Sequence, residues 1–118
     1  MKRYLEQFPD YDDTLPTLEG FHDSSYHNDM CPSLFKWLDE KQERFIQVFC
    51  DYKDESVREW DDLDRYTIFI DDHGMPAYGS NNWADIEQFI KDLNTEEVWT
   101  KYLNAFGVMD TDTITAQF

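Results

Sequence analysis

The chain has 118 residues, the length of a single domain, and its 26 Asp and Glu against 10 Lys and Arg give a net charge of −16. Its 17% aromatic and 41% hydrophobic content excludes an acidic disordered chain, which lacks the apolar surface needed to fold. The charge disfavours direct binding to nucleic acid phosphates or to anionic membranes, and it favours a basic protein partner. We therefore expect the acidic residues to cover the surface of one folded domain spanning residues 1–118.

Nothing in the sequence indicates a membrane span or a secretory leader. No apolar run approaches the ~18 residues that cross a bilayer. Lys2 and Arg3 are followed by acidic residues where a signal peptide would be apolar. Two cysteines are too few for a disulfide scaffold in a chain of this length. We expect a cytoplasmic protein.

The first 32 residues are predicted to form a short helix and an irregular acidic segment. Apolar spacing favours a helix over residues 1–8, which Pro9 ends because proline cannot donate a backbone hydrogen bond. Residues 10–32 are rich in Asp, Ser, Pro and Gly, a composition typical of loops. Their scattered apolar side chains indicate an ordered loop pinned across the core.

A β-hairpin is predicted from two aromatic-rich runs, Ser33–Leu38 and Arg44–Asp51, which flank the polar residues 39–43. A turn at Glu40 and Lys41 would send most apolar side chains to one face of the hairpin. The side chains that share this face in the predicted register are Phe35, opposite Ile46, with Trp37, Val48 and Cys50.

A second hairpin completes the predicted sheet, which spans residues 33–79. Alternating side chains favour a third strand over residues 65–71. The Asp-His-Gly step at residues 72–74 is a turn signal, and a short fourth strand over residues 75–78 follows it.

Helical spacing replaces strand spacing in the region 80–107. It predicts a helix over residues 82–93 and a second helix that begins at Thr95 and ends at Gly107. Residues 108–118 are expected to be a tail. The predicted class is an α+β fold, in which a four-stranded antiparallel meander packs against two C-terminal helices after an irregular acidic N-terminal segment.

The densest acidic cluster lies between the second and third predicted strands. Its seven acids against Lys53 and Arg58 give a net charge of −5 over residues 51–64. An aromatic residue among acids, here Trp60, is the composition of an interface hot spot. The alternative that Trp60 packs into the core and folds the loop back stays open. The predicted partner-binding residues of this cluster are Asp51, Asp54, Glu55, Glu59, Trp60, Asp61, Asp62 and Asp64.

A second acidic group surrounds an aromatic residue near the N-terminus. Asp10, Asp12 and Asp13 flank Tyr11, which we predict to be another anchor for a partner. Tyr11, Asp12 and Asp13 therefore join the predicted partner-binding set.

Catalytic and metal-binding motifs are weak in this chain. His22, Asp23, His27, Asp29 and Cys31 lie within ten residues, but the paired spacings of zinc sites are absent. A negative surface raises the pKa of thiols and so disfavours a catalytic cysteine. Only four glycines are present, and they form no phosphate-binding loop. We predict no metal, no cofactor, no enzymatic activity and no small-molecule substrate.

These features favour a non-enzymatic inhibitor that covers the basic, nucleic-acid-binding surface of a nuclease or defence complex, as a nucleic-acid mimic would. The chain is similar in type, being short, acidic and free of catalytic motifs, to phage and plasmid anti-defence proteins such as anti-restriction and anti-CRISPR proteins. Three alternatives remain open: an immunity protein that neutralises a bacterial nuclease toxin, a small metal-assisted hydrolase, and an accessory protein whose acidity serves only solubility.

Overall fold

Two compact units divide the chain, Met1–Trp83 and Ala84–Phe118. The sheet belongs to the first unit, and the described part of the second unit is helical. The computed structural model describes residues 2–41, 43–58, 63–71 and 76–93.

Five antiparallel strands and one main helix form the described secondary structure. Each strand pairs with its neighbours in sequence, in the order β1-β2-β3-β4-β5. The α+β class is confirmed, with five strands where four were predicted. The elements are α1 (Arg3–Gln7), β1 (His22–Asp23), β2 (Ser33–Asp39), β3 (Arg44–Cys50), a 3-10 helix (Glu55–Val57), β4 (Tyr66–Ile70), β5 (Tyr78–Ser80) and α2 (Trp83–Leu93).

One face of the sheet supplies the core of the first unit. Ile46 pairs with Ile70 and Val48 with Ile68 across β3 and β4, so these β-branched side chains share a face. All four, and Cys50 beside them, are at most 3% exposed. We call this side the core face.

Aromatic side chains line the opposite face of the sheet. The Phe35 ring lies 5.0 Å from the Trp37 ring and 5.1 Å from the Phe45 ring, measured between centroids. Trp37 is 42% exposed, so this face is only partly covered by the described residues.

The hairpin register predicted from the sequence is wrong by one residue. Phe35 pairs with Gln47, and Ile46 pairs with Lys36. The cause lies in the loop, which is longer than a two-residue turn: Glu43 donates its backbone N–H to the Glu40 carbonyl at 3.1 Å and adopts a φ of 57°. Because side chains alternate along a strand, the shift places Phe35 and Trp37 on the face opposite Ile46.

The N-terminal segment is ordered, as expected, and it contributes an additional strand. Strand β1 pairs with β2 through His22–Phe35 and Asp23–Leu34. The sequence gives little warning of it, because two residues are too few to show an alternating pattern. The buried side chains of the segment before β1, each 7% exposed, are Tyr4, Phe8, Tyr11 and Leu15.

The fourth strand of the predicted sheet lies further along the chain than expected. It was predicted over residues 75–78, and the corresponding strand β5 runs from Tyr78 to Ser80. Its pairing with β4 begins at Ile68, which lies opposite Tyr78.

Helix α2 agrees with the prediction to within one residue at its N-terminus. It buries Ile86, Phe89 and Leu93, which follow helical spacing. The second predicted helix, over residues 95–107, and the tail over residues 108–118 lie outside the described residues. In the part of the chain that the structure describes, no helix combines the length and apolarity needed to cross a bilayer.

Candidate acidic interface

Two acidic segments of the sequence, residues 10–14 and residues 51–54, lie side by side in the first unit, and we call this contact the seam. Pro9 follows α1, and residues 10–14, which we call the acidic strap, then run beside the start of the β3–β4 connection. The side chain of Tyr11 points from the strap into the interior of the unit. Its hydroxyl donates to the Asp51 carbonyl at 3.2 Å, and its ring packs edge-on against Tyr52, with the centroids 5.3 Å apart.

Asp12 fastens the strap to the connection. Its carboxylate accepts the backbone N–H groups of Lys53 and Asp54, each at 2.8 Å. Desolvation is the largest single influence and acts to raise the pKa of Asp12, but these two N–H groups, the backbone N–H of Asp12 itself and the Arg65 cation lower it overall. A second bond joins the same segments, because the Tyr52 hydroxyl donates to the Asp10 carboxylate at 2.8 Å.

Arg65 is the buried cation beneath the seam. It donates to the Asp51 carbonyl through Nε at 3.1 Å and to the Asp13 carboxylate through Nη2 at 2.9 Å. Its guanidinium also lies 4.9 Å from the centre of the Tyr66 ring. The bond from Arg65 lowers the pKa of Asp13, and the backbone N–H of Thr14 adds to the effect.

The first part of the β3–β4 connection, residues 51–58, is held by its own polar groups. The Asp54 carboxylate accepts the backbone N–H and the hydroxyl of Ser56, which begins the 3-10 helix and lowers the pKa of Asp54. Arg58 folds back and donates to the carbonyls of Tyr52 and Lys53 at 2.6 and 3.0 Å. The carboxylates of Asp12, Asp13 and Asp54 are therefore held in place, and their lowered pKa values keep them ionised at neutral pH.

The structure places the predicted partner-binding residues in three groups. Asp12, Asp13, Asp54, Glu55 and Asp64 are exposed, as an interface requires. Outside the described residues lie Glu59, Trp60, Asp61 and Asp62.

The third group, Tyr11 and Asp51, is buried, at 7% and 1% exposure. Their selection as surface contacts needs correction. An aromatic flanked by acids has the same composition whether it anchors a partner or packs inward, and here it packs inward against Tyr52.

Sequence reasoning missed two parts of this surface. Asp10 is exposed at the seam and belongs with the strap acids. Val57, at 51% exposure, is an apolar side chain among the acids of the connection. A lone valine in a charged run is a weak sequence signal, because isolated apolar residues are common on protein surfaces.

The residues considered for metal binding or thiol chemistry do not assemble into a site. Cys31 and Cys50 are both buried, unbonded thiols. Burial raises the pKa of each; for Cys31 the nearby Asp51 raises it further, whereas for Cys50 the Arg65 cation opposes the rise. Among the described residues, no three His, Cys, Asp or Glu side chains are grouped closely enough to hold a metal ion.

The fold and the seam define a small α+β protein with an antiparallel sheet and a structured acidic surface. Comparison with protein-family models, with curated proteins and with solved structures finds no match for this chain.

Proposed function

We propose that this chain is a cytosolic, non-enzymatic inhibitor that occupies the basic, nucleic-acid-binding surface of a partner protein such as a nuclease or a defence complex. The observation that carries the proposal is the junction of the acidic strap with the β3–β4 connection, through Asp12 and two backbone N–H groups. Acids about forty residues apart in sequence are thereby joined in one folded surface.

Charge at the junction exceeds an even distribution over the chain. The described residues 10–13, 51–58 and 63–65 hold seven acids against three bases, a net of −4 out of −16. Fifteen of the 118 residues therefore carry a quarter of the net charge. Such concentration raises the local potential and speeds the approach of a basic surface.

Preorganisation of the carboxylates supports the same function. The backbone N–H groups on Asp12 and Asp54, and the guanidinium on Asp13, fix these side chains before any partner arrives. Fixed acceptors lose little conformational entropy on binding. A row of them can accept the Arg and Lys side chains that otherwise hold phosphates. Val57 adds an apolar contact that excludes water beside them.

Capture from the lysate of the native host tests the proposal. The immobilised chain is expected to retain a nucleic-acid-binding protein, to release it when duplex DNA or RNA is added, and to block nucleic acid binding by the purified target. Retention of many basic proteins that are lost together as salt rises would contradict the proposal, because the charge would then act generically.

Two triple variants sharpen the test, since each removes three negative charges from exposed side chains. The surface variant should lose capture at moderate salt, whereas the control variant should retain it. The surface variant is Asp10→Asn, Glu55→Gln and Asp64→Asn, and the control variant is Glu6→Gln, Glu19→Gln and Glu87→Gln.

A further inference from the structure

A cavity of about 310 Å³ lies between the N-terminal segment and the outer edge of the sheet in the first unit. It is within the ~300–1,000 Å³ range of small-molecule sites, near the lower end. Its apolar wall is formed by Tyr4, Leu15, Phe21 and Leu34. Leu34 belongs to β2 and lies on the core face opposite Val48, so this wall of the cavity is part of the core.

Basic side chains gather at this cavity, although the chain as a whole is strongly acidic. Lys2 and Arg3 line it, and Lys36 Nζ lies 5.9 Å from the centre of the Phe21 ring. Two of the ten basic residues of the chain therefore line one apolar cavity, and a third lies beside the Phe21 ring of its wall. The salt bridges among the described residues involve Arg44, Arg58 and Arg65 and use none of these three.

Among the described residues one acid lines the cavity, and its carboxylate has a structural role. Asp23 accepts the backbone N–H of Tyr4 at 2.8 Å and that of Ser25 at 2.9 Å. Arg3 donates its Nε to the Ser25 carbonyl at 2.8 Å, which fixes the side chain beside the cavity. The local charge at the cavity is thus positive.

We infer that this cavity binds a small amphipathic monocarboxylate, with its apolar tail against Leu15, Phe21 and Leu34 and its carboxylate between Lys2 and Arg3. An apolar wall beside two cations matches that ligand and opposes an amine of the same shape. Polyanions are disfavoured because repulsion from the remaining surface grows with ligand charge. The cavity volume favours a tail of medium length. This inference is independent of the proposed function.

Isothermal titration calorimetry with sodium octanoate and octylammonium chloride tests the inference on the full chain. The two probes share the same tail and differ in the sign of the head group. Non-specific attraction to a chain of net charge −16 favours octylammonium. Saturable binding of octanoate, at least tenfold tighter than octylammonium, is the expected result. Equal or tighter binding of octylammonium, or no saturable binding of octanoate, overturns the inference.

Charge variants locate the binding. Lys2→Gln with Arg3→Gln should weaken octanoate about tenfold, whereas Lys53→Gln with Lys91→Gln removes the same charge elsewhere and should change the affinity less than twofold. If the double variant unfolds because the Arg3 bond to Ser25 is lost, Lys2→Gln alone replaces it. This single variant should weaken octanoate binding at least threefold. Equal weakening by the paired variants overturns the inference. Binding of a peptide with a C-terminal leucine carboxylate but not of octanoate would overturn the small-molecule assignment.

Discussion

Asp12 should control how firmly the acidic strap is held against the β3–β4 connection. Replacement by alanine removes both acceptors of the 2.8 Å bonds from Lys53 and Asp54. A net ~0.5–1.5 kcal/mol per hydrogen bond gives a loss of about 1–3 kcal/mol. Because Asp12 is exposed, the freed N–H groups reach water, and the lower half of that range is expected. Asp12→Asn keeps one oxygen and should lose about half as much.

Urea denaturation followed by circular dichroism measures these losses. At an m-value near ~2 kcal/mol/M, a loss of ~1.5 kcal/mol lowers the midpoint by roughly 0.7 M without changing m. Hydrogen exchange supplies a local readout, since the Lys53 and Asp54 amides should lose protection in Asp12→Ala. The matched control is Glu19→Ala, an exposed acid whose loss should change stability by less than ~0.5 kcal/mol.

The pH dependence follows from the lowered pKa of Asp12. A carboxylate whose folded pKa lies below its unfolded value of ~3.9 stabilises the fold above that value, and the contribution is lost as pH falls through the folded pKa. The difference between the wild-type chain and Asp12→Ala should therefore be constant from pH 7 to about pH 5 and shrink below pH 4. Equal stability of Asp12→Ala and the wild-type chain at pH 7, or unchanged amide protection, would refute the reasoning.

Three further predictions concern other parts of the first unit. Arg65→Lys should lower the free energy of unfolding by about 1–3 kcal/mol, because an ammonium cannot reproduce the guanidinium contacts with Asp13 and the main chain; urea denaturation unchanged from wild type would contradict this. Cys31 and Cys50 should react with a disulfide reagent at pH 8 only as the chain unfolds, since burial raises the pKa of both; rapid native labelling would count against it. Glu43→Gly should stabilise the chain by roughly 0.5–1 kcal/mol by relieving a φ of 57°, and Glu43→Val should destabilise it; a higher melting temperature for valine would disprove the assignment of strain.

Local sequence patterns predicted the main elements of the fold. The two runs of the first hairpin, expected over residues 33–38 and 44–51, correspond to β2 and β3 within one residue at each end. Helix α2 was equally clear, because Ile86, Phe89 and Leu93 follow helical spacing. Burial of one side of an element requires apolar residues at regular intervals, and the sequences of these elements show that pattern.

Register and short strands could not be obtained from the same patterns. Residues 39–43 contain no glycine or asparagine to specify a tight turn, so a two-residue turn and the longer loop were equally compatible with the sequence. The choice depends on backbone geometry at Glu43, where a glutamate adopts a left-handed conformation that glutamate rarely adopts. Strand β1 exists because its residues pair with β2, not because of their own propensities.

The composition of the acidic surface could be read from the sequence, but the way its segments come together could not. About forty residues separate the acids of residues 10–13 from the start of the second acidic cluster, and only tertiary packing brings residues 10–13 beside residues 52–54. Tyr11 is buried by the same packing, because its ring lies against Tyr52 where the strap contacts the connection. Local composition cannot distinguish an inward aromatic from an outward one when both are flanked by acids.

The most direct test of the account is the rate at which the chain associates with its captured partner, measured by stopped-flow fluorescence across a range of ionic strengths. The surface variant should associate about 3- to 10-fold more slowly than the wild-type chain at low salt, with a weaker dependence on salt, because three charges are lost within a Debye length of the contact. The control variant, with the same net charge, should associate within about twofold of wild type. Equal slowing of both variants would show that only total charge matters, and it would contradict the claim that the joined acidic surface is the binding site.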